Sequence, residues 1–284
     1  MVGRGGCVAL SNKSDDARIL DVRREDAFEA CHRSGAVNIP LESLVTRIHE
    51  LPPRGRRLTI FDTCRTRAFW ACSRLRARGR SEIDIVHGEA WLATGPTARG
   101  PSTDRLWEPH GLLVEGVEAG RRLWGTVEGR LSLDVACGCG RDTAYLALAG
   151  FSVVGWDVLP DALDRCREMA LRCGVSVRTE CRDVEIDPTI DPSGYDLICC
   201  FNFLHRPLLP AILGGVRDGG LVVYETFVHP QREMFGKPRR EAHLLNPGEL
   251  RGHFEGWHVL TYREHLAGPR RYVASLIARK PRTE

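Results

Sequence analysis

Apolar residues along the chain cluster in short runs, separated by stretches where charged and apolar positions mix. In the first part these runs cover residues 19–22, 36–39, 58–61 and 83–86, which read as buried strands. The stretches at 26–31, 42–50 and 67–78 read as helices. Beyond residue 104 the strand pattern returns at 131–136, 152–157, 175–181, 195–200, 221–226, 257–262 and 272–278, with helices fitting between most of them. Alternation of this kind predicts an α/β protein with parallel sheets. Too few residues separate 262 from 272 for a helical crossover, so the last two strands are expected as an antiparallel hairpin.

Residues 94–104, TGPTARGPSTD, lack apolar periodicity and read as a linker. The expected organisation is a first domain over 1–95, a linker over 96–105 and a second domain over 106–284. With 284 residues, 43% of them hydrophobic, the chain can bury two cores without disulfide or metal staples. No apolar run approaches the ~18 residues of a membrane span, and none follows a basic start as in a secretion signal. A cytoplasmic location without membrane attachment is therefore expected. The net charge of +3 carries no nucleic-acid signature. Lysine occurs only at 13, 237 and 280, and a coding bias explains so uniform an arginine preference better than anion binding does. The eleven cysteines form no CxxC pair and no zinc-finger spacing with histidine, so free thiols and no metal site are expected.

Candidate chemistry begins at residues 18–40, RILDVRREDAFEACHRSGAVNIP. Asp21, Arg23, Phe28, His32, Gly35, Ala36, Asn38 and Pro40, together with HGEAW at 87–91, resemble the signature of the rhodanese family over most of residues 15–93. That resemblance implies a small parallel-sheet domain. It also implies a loop after strand 58–61 whose backbone N–H groups form an anion nest around a persulfide-carrying cysteine. With Arg67 in the loop-closing position, Asp62 stands where the nucleophile belongs. A carboxylate cannot carry transferable sulfur, and its charge is expected to fill the nest against Arg65 or Arg67. The domain is expected to be an inactive accessory module that can hold a protein partner. Sulfur transfer through Cys64 is the alternative. Arg74, Arg76, Arg78 and Arg80 read as a solvated face.

The strongest signal is LSLDVACGCGRDTAYLALAGFSVVGWDVLPDAL, residues 131–163. A strand leads to a tight loop with Gly138 and Gly140, then a helix, then a second strand ending at Asp157. Glycines permit the turn and close backbone approach to a ligand, and open α/β sheets bind ligands beyond their carboxyl ends. The third glycine of a dinucleotide fingerprint is missing. The order Asp-x-Ala-x-Gly-x-Gly resembles motif I of the class I S-adenosylmethionine-dependent methyltransferases, with Ala136 in place of the first glycine.

The methyltransferase resemblance extends over residues 106–280. It implies a doubly wound, Rossmann-like seven-stranded sheet with a C-terminal antiparallel hairpin, and S-adenosylmethionine as cofactor. By position it implies Asp157 for the ribose hydroxyls, Asp183 for the adenine amino group and Asp134 near the methionine ammonium. Ala136, Gly138 and Gly140 form the loop, and Val158, Val184 and Phe201 are further cofactor contacts. FNFLHRPLLPAI at 201–212 and VYETF at 223–227 are similar to the tellurite-resistance branch of that family.

Methyl transfer is an in-line displacement for which the cofactor supplies the electrophile and the protein the alignment. A thiolate or chalcogen anion needs no base, whereas oxygen and nitrogen acceptors more often do. The acceptor is expected beyond strands 195–200 and 221–226, with His205 as base or orienting group, Arg206 as anion binder, and Tyr224 and Glu225 facing the pocket. Residues 228–250, with Gly236, Pro238, Arg232, Arg239 and Arg240, read as a lid in which Phe235 shields the methyl group. The expected function is methylation of a small-molecule acceptor: a thiol, a chalcogen oxyanion or another anion. A tRNA or other nucleic-acid methyltransferase is the weaker reading, since Asn202-Phe-Leu-His replaces the Asn/Asp-Pro-Pro-aromatic motif. A non-enzymatic binding scaffold is the third, opposed by the intact acids and glycines.

Overall fold

A computed structural model of the chain describes residues 18–268 and 270–282. The chain divides into two compact units, with the boundary between Glu108 and Pro109. No helix among the described residues is long and apolar enough to cross a membrane.

Unit 1 contains β1 (Arg18–Asp21), α1 (Glu25–Ala30), β2 (His32–Arg33), β3 (Ala36–Asn38), β4 (Leu58–Asp62), α2 (Arg65–Arg76), β5 (Ile83–His87) and β6 (Thr97–Ala98). Its main sheet runs β3-β1-β4-β5, all parallel. β4 lies inside that sheet and is buried at every position, so its sequence Leu-Thr-Ile-Phe-Asp shows no alternation. Leu20, Ile39, Leu58, Ile60 and Leu75 form the centre of the core.

Three features differ from the sequence reading. Arg80, expected on a solvated face, is buried and donates to the Pro52 and Pro53 carbonyls. Residues 42–50 form successive turns, with a single 3-10 turn at Ile48–Glu50 instead of a helix. Pro52 bars Leu51 from the helical region, and the β-branched Val45, Thr46 and Ile48 weaken what precedes it. Leu44 and Leu51 are fully buried without helical support. The segment read as a linker is tied into unit 1, since β6 pairs antiparallel with β2. Leu106 joins the unit 1 core, so this unit continues to Glu108.

Unit 2 contains α3 (Gly111–Trp124), β7 (Leu131–Val135), α4 (Arg141–Ala149), β8 (Ser152–Asp157), α5 (Pro160–Arg172), β9 (Arg178–Cys181) and β10 (Tyr195–Phe201). It continues through α6 (Leu209–Gly215), β11 (Val216–Phe227), α7 (Pro230–Phe235), α8 (Glu249–Gly252), β12 (His258–Leu266) and β13 (Tyr272–Arg279). The seven strands lie in the order β12-β13-β11-β10-β7-β8-β9. β13 alone runs opposite to the other six strands, and it makes the expected hairpin with β12. The strand order reverses between β7 and β10, which opens a crevice at their carboxyl ends.

α3 packs on this sheet through a glycine. Leu112, Leu113, Gly116, Val117 and Gly120 form its buried face. A Cβ at Gly116 would lie 2.5 Å from Val223 Cγ2, so the missing side chain sets the helix-to-strand distance. Gly116→Ala is expected to destabilise the protein by about 1–3 kcal/mol through overpacking. Urea unfolding checks this; an unchanged midpoint would show that α3 is free to move off β11.

Candidate active site

The loop after β7 is built from left-handed residues. Ala136 has φ +56°, Gly138 φ +55° and Gly140 φ +80°. Ala136 holds this conformation at a cost of roughly 1–2 kcal/mol, which the surrounding hydrogen bonds must offset. The Cys137 N–H donates to the Trp156 carbonyl at 2.8 Å, and the Gly140 N–H donates to the Cys137 carbonyl at 3.0 Å. At Gly140 a Cβ would lie 2.2 Å from Cys166 Sγ, so α5 packs against the loop with no room for a side chain. At Gly138 the same position faces open space, leaving bare backbone for a ligand.

Asp157, at the end of β8, fixes this loop from the neighbouring strand. Its Oδ2 accepts the Gly138 N–H at 2.8 Å and its Oδ1 accepts the Leu159 N–H at 2.9 Å. Each oxygen keeps a further lone pair. Beside it lies a cleft of about 250 Å³, bounded by Ala136, by Trp156, Asp157 and Val158 of the β8 end, by Arg182, Asp183, Val184 and Glu185 after β9, and by Phe203. Val158 is 51% exposed, an apolar surface at the mouth. One oxygen of Asp183 accepts the Glu185 N–H at 2.9 Å. The indole Nε1–H of Trp156 is buried without a partner among the described residues.

These residues fit S-adenosylmethionine. The apolar walls suit a purine, Asp157 offers acceptors for two ribose hydroxyls, and Asp183 has an oxygen left for an exocyclic amine. The open backbone at Gly138 leaves room for the amino-acid end.

Asp134 and Phe201 stand behind this surface. Asp134 is 2% exposed and does not line the cleft. Its Oδ2 accepts the Thr143 hydroxyl at 2.6 Å and its Oδ1 the Cys199 thiol at 3.5 Å, joining β7 to α4 and β10. Burial, with the nearby Asp142 charge, pushes its carboxyl up to about 8. Phe201 stacks face to face on His110, with centroids 4.2 Å apart and planes at 3°.

The acceptor-side candidates take other positions than expected. Arg206 is committed to Glu249 through a two-pronged pair, Nε to Oε1 at 2.6 Å and Nη2 to Oε2 at 2.9 Å, and it also donates to the Ala242 and Leu244 carbonyls. That pair holds the Glu249 carboxyl down at about 2. Arg206 is thus a strut for the segment before α8, with little left for an anionic acceptor. Tyr224 is 1% exposed and donates its hydroxyl to the Phe203 carbonyl at 3.0 Å, which supports a cleft wall from inside the core. Burial holds its phenol well above the usual range. His205 is half-buried and makes no side-chain hydrogen bond among the described residues. The segment expected as a lid is anchored where the Leu245 N–H meets the Phe227 carbonyl and the His229 N–H meets the Leu245 carbonyl, both at 2.9 Å.

Sequence reasoning missed His110 and Asp142. The Asp142 carboxylate accepts the His110 backbone N–H at 2.8 Å and its ring Nδ1 at 2.6 Å. Asp142 lies within the glycine-loop motif, but its partner is 32 positions away. The one available signal was an acid in the first turn of α4.

Residues 133–218 match the family model of a methyltransferase domain. A ubiquinone biosynthesis O-methyltransferase from Bordetella avium is 31% identical over 134 residues, 43% of this chain and 56% of that protein. The probable S-adenosyl-L-methionine-dependent methyltransferase TehB of Haemophilus influenzae is 26% identical over 142 residues, 47% of this chain and 48% of that protein. The chain therefore spans about half the length of these relatives. The Schizosaccharomyces pombe protein UNK4.09 is 24% identical over 290 residues, 82% of this chain and 84% of that one, a share larger than unit 2 alone supplies. Among solved structures, TehB from Haemophilus influenzae superposes with a TM-score of 0.48 at 22% identity, over 58% of this chain and 61% of that one. Magnesium protoporphyrin IX methyltransferase from Synechocystis with bound SAH gives 0.46 at 18%, over 59% and 81%. The matched segment of unit 2 is thus similar to a methyltransferase domain, and the TehB relative bears the name of an S-adenosyl-L-methionine-dependent enzyme.

Asp134 makes stability depend on pH. Its carboxyl titrates near 3.8 when unfolded and at about 8 when folded, so the folded state holds a proton that the unfolded chain releases between these values. This contribution is complete below the unfolded value and is lost as pH rises through the folded one. Asp134→Asn is therefore expected to flatten the decline in stability, measured by urea unfolding at about pH 5 and pH 8. Parallel declines in both proteins would show that Asp134 is ionised in the folded state.

Proposed function

We propose that the protein transfers the methyl group of S-adenosylmethionine to a small-molecule acceptor through unit 2, and that unit 1 is a rhodanese-like accessory module without sulfur-transfer activity. The observation that carries the first part is Asp157, which fixes the glycine loop through Gly138 and borders the cleft with free acceptor capacity. When bound, S-adenosylmethionine supplies a carbon activated by the sulfonium charge. The residues of this chain bind and orient. Asp157 and Asp183 would hold the adenosine, Val158, Val184 and Phe203 would cover its faces, and the bare Gly138 backbone would leave room for the amino-acid end. The names of the O-methyltransferase and TehB relatives support this reading for unit 2.

For unit 1 the supporting observation is Asp62, 2% exposed at the end of β4. Its Oδ1 accepts the Cys64 N–H at 2.8 Å and its Oδ2 pairs with Arg67 Nε at 3.0 Å, while Arg67 Nη1 reaches Glu42 at 2.8 Å. The carboxylate occupies the place a persulfide would need. The other signature residues hold one another: Asp21 pairs with Arg23 at 2.6 Å, and the Asn38 amide donates to the Asp21 and Arg23 carbonyls. Phe69 and Trp70 stand 47% and 59% exposed on α2, an aromatic surface suited to a protein partner.

Two measurements test these parts. Asp157→Ala is expected to weaken S-adenosylhomocysteine binding about 10- to 100-fold in calorimetry, the value of a charge-assisted hydrogen bond. Unchanged affinity in a folded variant would remove Asp157 from the site. The full chain is expected to form no thiocyanate from thiosulfate and cyanide beyond the background of Cys64→Ser. Robust formation, lost in that variant, would restore sulfur transfer to unit 1.

A further inference from the structure

We infer that His110, oriented by Asp142, is the catalytic base of the proposed methyl transfer, and that the acceptor presents a hydroxyl group at the His110–Asn202 pair. This rests on the methyltransferase reading of unit 2 and deepens it by naming the acceptor's chemistry.

The hydrogen bonds fix where each proton lies. Asp142 accepts the backbone N–H of His110 with Oδ1 and meets the ring Nδ1 with Oδ2 at 2.6 Å. An ionised carboxylate only accepts, so Nδ1 carries the hydrogen and Nε2 is left with a lone pair. Nε2 faces the Asn202 side-chain nitrogen at 3.2 Å. The orientation of that amide follows from its other end, where Oδ1 accepts from Arg271 Nη2 at 2.7 Å. Arg271 also pairs with Glu225 Oε1 at 2.9 Å, and Glu225 Oε2 accepts the Ser275 hydroxyl at 2.7 Å. At each of these contacts a donor then meets an acceptor, which fixes both the tautomer and the amide orientation.

The backbone holds the pair in place. The His110 ring is stacked on Phe201, and Asn202 sits at φ +56° with its N–H on the Glu225 carbonyl at 2.8 Å. Asn202 is exposed and the His110 side chain is 24% exposed, so a ligand can reach them. They lie at the end of β10, beside the strand-order reversal, and the next residue, Phe203, borders the cofactor cleft.

The contact between Nε2 and Asn202, at 3.2 Å, is the longest in the chain, and it is open to solvent. A hydroxyl entering there gives its hydrogen to Nε2 and accepts one from the Asn202 amide. In the transfer, the acceptor O–H bond breaks and an oxygen electron pair forms the O–CH₃ bond. The methyl carbon leaves sulfur, whose bonding pair stays on sulfur as a thioether. The proton ends on Nε2, where Asp142 stabilises the imidazolium, and passes to solvent. A thiolate has no proton to give and would leave this arrangement without a task.

The test uses the full chain. Long-range proton–nitrogen spectra of histidine-labelled protein at about pH 8, above the usual imidazole range, are expected to show His110 protonated at Nδ1. Asp142→Asn is expected to move that proton to Nε2, because its amide then donates to Nδ1. Wild-type protein protonated at Nε2 would overturn the assignment. In a second arm, methyl transfer from labelled S-adenosylmethionine is measured on phenols of graded acidity. His110→Gln is expected to lose about 100-fold or more on phenols that are neutral in solution, little on those already ionised, and to keep its S-adenosylhomocysteine affinity. An equal loss across the series, or lost S-adenosylhomocysteine binding, would overturn the base. A wild-type protein that binds S-adenosylhomocysteine but methylates no phenol would overturn the hydroxyl class. Failure to bind S-adenosylhomocysteine at all would instead remove the methyltransferase reading.

Discussion

The site in unit 2 depends on one carboxylate bridging two adjacent strand ends. Asp157 ties the loop after β7 to the turn after β8 by accepting the Gly138 and Leu159 N–H groups. Three left-handed residues in that loop do not hold their shape through side-chain packing, because two of them have no side chain. A charged acceptor on two backbone donors supplies the missing constraint, and such bonds are about twice as strong as neutral ones. The cleft, the bare Gly138 backbone and the close approach of α5 at Gly140 all presuppose a loop fixed in this way.

Beneath and beside this tie, buried and half-exposed polar groups connect the elements that meet where the strand order reverses. Asp134 joins β7, α4 and β10 from below. The chain from Asp142 through His110, Asn202, Arg271 and Glu225 to Ser275 joins α4, α3, β10, β13 and β11 above it. At its buried members, Asp134, Asp142, Glu225 and Ser275, removing one group strands its partner, and an unsatisfied buried group costs about 1–3 kcal/mol. The network therefore gives the site a defined geometry, and that same geometry gives His110 a single tautomer.

What the sequence revealed follows from how local each signal was. The loop from Asp134 to Gly140 and the acid at Asp157 lie in one strand–loop–helix–strand stretch, where spacing alone fixes their relation, and the terminal hairpin was legible from a short gap. Arg206 and Tyr224 were misjudged because their roles depend on Glu249 and on the Phe203 carbonyl. The partner of Arg206 comes from a distant segment, and Tyr224 lies deep in the core, neither of which a strand pattern can show. His110 was invisible for the same reason. In unit 1 the turns at 42–50 and the β2–β6 pairing were missed, since apolar spacing does not register a proline that ends a helix or a two-residue pair formed across a long loop.

The central claim is that Asp157 and the loop it holds receive the cofactor. A crystal structure of the full chain with S-adenosylhomocysteine tests this most directly. The account predicts the ribose hydroxyls within hydrogen-bond distance of Asp157, the adenine between Val158 and Val184 with its amino group toward Asp183, and the sulfur facing the end of β10. A ribose held by other residues, or an adenine outside this cleft, would contradict it.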